Sequence, residues 1–148
     1  GGDANADGVR SASEDEFVEI INTSDSPLDI SGYTLSDSLE VRFVFPQGTL
    51  IQAHGTALIF GGGNPPAGLW PSAVLVFTTP GGLGLNNSGD SIYISDPQGT
   101  PVTSMSYTDG QASDRSLVRS QDGDPEASFI PHPGSPQSPG FAQDGTEL

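Results

Sequence analysis

What most constrains the fold of this chain is the shortness of its apolar runs. They extend only four to seven residues before glycine, proline, asparagine or aspartate interrupts them, as in EFVEII (Glu16 to Ile21), TALIFG (Thr56 to Gly61) and AVLVF (Ala73 to Phe77). An amphipathic helix needs apolar residues recurring at three- and four-residue spacing over ten or more positions, and no segment has that period. Short β-rich runs bounded by turn residues are the pattern of strands. The 20 glycines and 13 prolines supply the turns between them. The chain is therefore expected to be all-β.

EFVEII is the first expected strand, ended by the polar turn NTSDSP. LDISGYTL around Ser31 and Gly32, then VRFVF before the FPQG turn, come next. TALIFG and AVLVF are nearly continuous apolar runs, as required of strands buried on both faces, and GGGNPPAGLW between them reads as a loop. DSIYIS, DPQGTP and VTSMSY form the clearest hairpin, because Pro97 is preset for the second position of a type I turn and Gly99 suits the fourth. Ile92 and Ile94 share one face of its first arm and Tyr93 takes the other. RSLVRS (Arg115 to Ser120) reads as a further strand at an edge. After Ile130, four prolines in nine residues predict extended coil or linker. Seven to nine short strands suit an immunoglobulin-like β-sandwich, with a closed barrel as the alternative. The expected organisation is a loop over 1–15, the sandwich over 16–130 and a proline-rich segment over 131–148.

At 148 residues the chain can bury a core without staples. It has no cysteine, so nothing rests on disulfides, thiolate nucleophiles or cysteine zinc sites. No apolar run approaches the roughly 18 residues of a membrane span. Four arginines, no lysine and 19 acids give a formal charge of −15. Such a surface repels phosphate backbones and anionic headgroups, which argues against nucleic acid as a direct partner. So acidic a composition also fits a salt-rich habitat, where hydrated carboxylates keep a protein soluble.

The first residues carry the densest chemistry. In DANADGVRSASE, Asp3, Asn5 and Asp7 alternate as side-chain oxygen donors, and Gly8 permits the sharp turn. Val9 would offer a backbone carbonyl, Ser11 could hold a water, and Glu14 stands at the twelfth position, where a bidentate carboxylate closes a calcium loop. The alternative is a polar turn in an acidic protein, since Asp, Asn and Gly populate turns generally. A match to every functional position of the template favours Ca²⁺. A sensor would need flanking helices, but Glu14 leads straight into a strand, so the ion is expected to be a structural brace. Asp15 or Glu16 could substitute as a ligand.

Other motifs fail as sites. GGGNPPAG lacks the GK[ST] of a phosphate-binding loop, and GGLGLNNSGD lacks a third glycine and a following helix. The two histidines, His54 and His132, lie in a turn and in the tail, and surface positions are expected for both. A trio such as Ser88, His54 and Asp90 can be drawn, but no GxSxG surrounds a serine. A hydrolytic carboxylate pair, or a carbohydrate platform of Trp70 with Tyr33, Tyr93 or Tyr107, are the alternative functions. Against the platform, amphipathic rings more often cap a core with one end buried and one wet.

Taken in order, EFVEIIN, LDISGYTLSD, FVFPQGTLIQAHGTALIFGGG, GLGLNNSGDSIYISDPQGTPVTSMSY and SLVRSQDGD resemble the lamin tail domain, an immunoglobulin-like module of nuclear lamins and of many bacterial exported proteins. The similarity runs from about Glu16 to Asp124. It implies a non-enzymatic domain for attachment or protein contact, extracellular or at the cell surface, with a DxNxDG loop before the EFVE strand in bacterial members. Tyr33 stands where the family often has Trp. The resemblance also implies a strand ahead of the loop, where this sequence has only two residues before Asp3: either that strand has been lost, or a partner chain supplies it by edge pairing at an open slot.

Overall fold

The computed structural model describes residues 2–111 and 115–147, which form eleven short strands and no helix. In chain order these are β1 (Phe17–Ile21), β2 (Leu28–Asp29), β3 (Thr34–Ser36), β4 (Val41–Val44), β5 (Leu50–Ile51), β6 (Thr56–Phe60), β7 (Val74–Thr78), β8 (Gly89–Ser95), β9 (Pro101–Thr108), β10 (Leu117–Arg119) and β11 (Phe129–Pro131). Two sheets make the body: a three-stranded one ordered β1-β6-β7 and a four-stranded one ordered β4-β3-β8-β9. Two small ribbons, β2-β5 and β10-β11, complete it. This is an immunoglobulin-like β-sandwich and not a closed barrel.

The sandwich core follows from strand alternation. Val18 and Ile20 of β1, Ala57 and Ile59 of β6, and Leu75 and Phe77 of β7 meet Leu35, Phe43, Ile92, Ile94 and Met105 from the opposite sheet. Phe43, Phe45 and Phe77 form an aromatic triangle with centroids 5.1–5.9 Å apart, two of its pairs edge-on. The β8–β9 hairpin turns where the proline and glycine require it, with Gly99 N–H donating to the Asp96 carbonyl at 2.9 Å and Gly99 at φ +82°. Ile92 and Ile94 face the core and Tyr93 pairs with Ser36 and Ser104 on the outer face.

Strand β6 is buried along its whole length because its sheet is covered on both sides. Its alternate residues Leu58 and Phe60 form a second cluster with Ala4, Phe17, Trp70, Val74 and Val76. The cover arises from an unusual connection. β6 and β7 are parallel neighbours, so the chain between Phe60 and Val74 must cross the sheet, and it carries Trp70 over Phe60 at a centroid distance of 5.6 Å.

Two expectations are corrected. The proline-rich segment is not a linker: its first residue, Pro131, closes β11 against β10, and the segment then packs back on the body, with Trp70 Nε1–H donating to the Pro139 carbonyl at 2.9 Å. His132 is not a surface residue, being 1% exposed with Nε2 2.9 Å from Ser138 Oγ. The segment is held because prolines give up backbone donors but keep carbonyls that can still accept.

Candidate functional site

The opening loop is curled by its own side chains. Asp3 accepts the Asp7 N–H on Oδ1 at 3.1 Å and the Gly8 N–H on Oδ2 at 2.9 Å. Asn5 Oδ1 shares the same Asp7 N–H at 3.1 Å, and Asp7 Oδ1 accepts the Val9 N–H at 2.8 Å. Ala6 (φ +57°) and Gly8 (φ +87°) take left-handed conformations that make the curl tight. One amide thus holds oxygens of Asp3 and Asn5 side by side. Each of the bonded oxygens uses one lone pair and keeps another, the donor chemistry a hard cation needs.

The second half of the loop is ordered by Asp15, which sequence reasoning placed only as a substitute ligand. Its Oδ1 accepts the N–H groups of Ala4 (2.8 Å) and Asn5 (3.2 Å), and its Oδ2 accepts that of Ser11 (2.7 Å). Ser11 Oγ accepts the Glu14 N–H at 3.3 Å, closing the turn into β1. Val9 is exposed, and the Glu14 side chain lies against Gly62, lining a hollow of about 350 Å³ with Thr78, Pro80 and the glycines around it. Among the described residues no three carboxylate or imidazole side chains gather as a metal group. The loop's own hydrogen bonds bring Asp3, Asn5 and Asp7 together, while Glu14 is not drawn in with Asp3 and Asp7.

The glycines after β6 are the floor of this loop. A Cβ on Gly61 would strike the Ser13 carbonyl, one on Gly62 would come 2.9 Å from Glu14 Cγ, and one on Gly63 would strike Asn5 Nδ2. Asn5 is fully buried, with Nδ2 donating to the Gly62 carbonyl at 3.2 Å, and the Asn64 N–H donates to Asp7 Oδ2 at 2.9 Å. The sequence signal was the triple glycine itself, which reads as turn material until the loop is laid on it.

The catalytic trio does not assemble. His54 Nε2 pairs with Asp25 at 2.9 Å on the surface, and the Asp90 carboxylate is taken up by Asn86 and by the Ser91 N–H. Glu16, near Asp90, is pushed up by burial, which outweighs the Leu85 and Gly84 N–H groups it accepts and the Arg42 charge. Burial likewise raises Tyr107 to about 12, with the Asp90 and Glu16 charges adding to it. Trp70 is half-buried on Phe60 with its N–H satisfied, so it caps a core.

Arg42 holds Asp37 through two nitrogens, at 2.8 and 2.6 Å, and Glu40 at 2.6 Å. Burial works to raise Asp37, but the Glu40 and Leu39 N–H groups and the Arg42 guanidinium outweigh it and hold the carboxyl below its usual range.

No curated protein matches the chain. The lamin tail domain model matches residues 2–109, from the acidic loop through the end of β9, which is well over half of the chain, and the protein belongs to that family of immunoglobulin-like, non-catalytic domains.

Proposed function

We propose that this is an accessory or adhesion domain of an exported bacterial protein, working outside the cell or at its surface. It makes protein or surface contact through its four-stranded sheet and is braced by a structural Ca²⁺. The observation that carries the contact surface is one face without charge on a chain of −15. Its outward residues, by register, are Val44, Thr34 and Ser95 in one row, Val41, Ser36, Tyr93 and Ser104 in the next, and Ser91 with Ser106 beyond. Val41 and Val44 are each more than half exposed. The same sheet ends in β9, whose only strand partner among the described residues is β8, so its other edge offers backbone groups to a further strand.

For the brace, the ligands are Asp3, Asn5 and Asp7 through side chains, Val9 through its carbonyl and Ser11 through a water, with Glu14 joining through its carboxylate once it swings away from Gly62. What supports it is the curl that already sets the first three together. Binding neutralises carboxylates crowded by that curl and pins the loop on Gly61 to Gly63. Melting followed with added calcium and with chelator tests it: calcium raises the midpoint of the wild type by several degrees and leaves Asp7→Ala unmoved. Equal midpoints for the wild type in both conditions would remove calcium from the reading, leaving the uncharged face to stand alone.

A further inference from the structure

Residues 115–147 form a lobe that joins neither main sheet: among the described residues β10 and β11 pair only with one another, and no residue of the lobe belongs to either core cluster. The matched family span ends at residue 109, ahead of the lobe. Among the described residues, two hydrogen bonds tie the lobe to the body. Trp70 Nε1–H donates to the Pro139 carbonyl at 2.9 Å, and the Gly140 N–H donates to Glu19 Oε2 at 2.6 Å. Both read the single peptide group that joins Pro139 to Gly140, one at its carbonyl and the other at its N–H.

We propose that Trp70 and Glu19 form a receptor for a proline–glycine turn, filled by the chain's own Pro139–Gly140, which makes the C-terminal lobe a detachable cover over the outer face of the β1-β6-β7 sheet. The receptor is built for this dipeptide. Gly140 sits at φ +79°, and a Cβ there would strike the indole ring, so position 140 admits glycine alone. Proline at 139 spends no donor and presents its carbonyl to the indole N–H. The phenyl ring of Phe60 backs the indole and fixes its plane. The class of ligand is thus a Ser–Pro–Gly turn, supplied by this chain itself and closed by the Phe141 N–H donating to the Ser138 carbonyl at 2.9 Å.

The contact is also proton-sensitive. Burial raises the Glu19 carboxyl to about 7; the Gly140 N–H works against the rise, and the Asp122 charge adds to it. Asp122 is the charged group facing it from the lobe, and its strand partner on β6 is the uncharged Leu58. With the lobe detached, Glu19 is solvated and returns toward its ordinary 4.5. A group whose docked value is raised favours docking below the free value. That advantage is lost as pH climbs through the interval from about 4.5 to about 7. Docking should weaken on the order of a hundredfold from pH 4 to pH 8.

Trp70 is the only tryptophan in the chain, so its fluorescence reports the contact directly. In the full chain, Gly140→Val should shift the emission to the red and raise acrylamide quenching several-fold, with far-UV circular dichroism of the sandwich unchanged. A synthetic peptide of residues 134–143 added to that variant should reverse both changes, and the same peptide carrying valine at 140 should not. Quenching of the wild type should rise from pH 4 to pH 8, and Glu19→Gln, which keeps an acceptor but cannot ionise, should flatten the profile. Unchanged emission in Gly140→Val, or failure of the native peptide to restore it, would overturn the receptor. A flat wild-type pH profile would overturn the detachable cover.

Discussion

Single glycines decide where the acidic loop can lie. Gly63 combines a left-handed backbone (φ +75°) with a Cβ direction filled by Asn5 and Asp7, whereas Gly68 has a similar φ (+79°) and open space. Gly63→Ala should therefore cost about 2–4 kcal/mol, and Gly68→Ala only about 1 kcal/mol from backbone strain alone. Thermal or denaturant unfolding of the two variants separates them; equal losses would mean that the loop is not seated on Gly63. At this scale the sequence was readable where residue type and spacing suffice. The alternation of Asp3, Asn5 and Asp7 is visible in the chain, as is the turn glycine Gly8, which takes φ +87°. Asp15 was harder, because any carboxylate beside Glu14 looks like a spare ligand until three N–H groups are found pointing at it. Glu19 reads as the polar member of an alternating strand, and nothing near it in sequence reveals that Gly140, 121 positions away, covers it.

Among elements, β9 is the exposed liability. From Thr103 to Thr108 it contains no charge, it lies at a sheet edge, and most of its side chains are exposed; the register shift opposite Ile94 and Ser95 disturbs only its first residues. Natural edges of this length usually carry a lysine or a proline to prevent pairing with another chain; β9 has a proline only at its first position, Pro101, and the edge from Thr103 onward is left open, which suits contact. Ser104→Lys places such a charge on the edge. Sedimentation velocity at rising concentration should show association of the wild type that this variant loses, with stability changed by less than about 0.5 kcal/mol. A wild type that stays monomeric at all concentrations would count against edge pairing between copies. The strands themselves were legible: β1, β4, β6, β7 and the β8–β9 hairpin lie where periodicity and turn residues put them. The parallel pairing of β6 with β7 was not, since two apolar runs separated by a loop suit an antiparallel neighbour equally well.

For the whole molecule, 19 acids against four arginines leave most carboxylates without a cation, and Arg42 concentrates its pairing on Asp37 and Glu40. Self-repulsion of this kind acts over about 10 Å at 0.1 M salt and about 3 Å at 1 M. The melting temperature should rise by several degrees between those conditions in sodium chloride, which limits the added effect of strongly excluded salts. A flat or falling trend would show that the charges are already accommodated, and would remove the argument for a salt-rich habitat. What the sequence by itself determined was the all-β class, the positions of the main strands, the hairpin turn and the oxygen spacing of the loop. Each of these is recorded within a few residues, as a side-chain period, a preset φ or a donor interval. Only the tertiary structure decided that the triple glycine is a floor, that the three-stranded sheet is buried on both faces, and that a proline-rich tail closes on Trp70 and Glu19. Those features depend on groups 57 to 121 positions apart meeting after the sheets have packed, and no local pattern carries that distance.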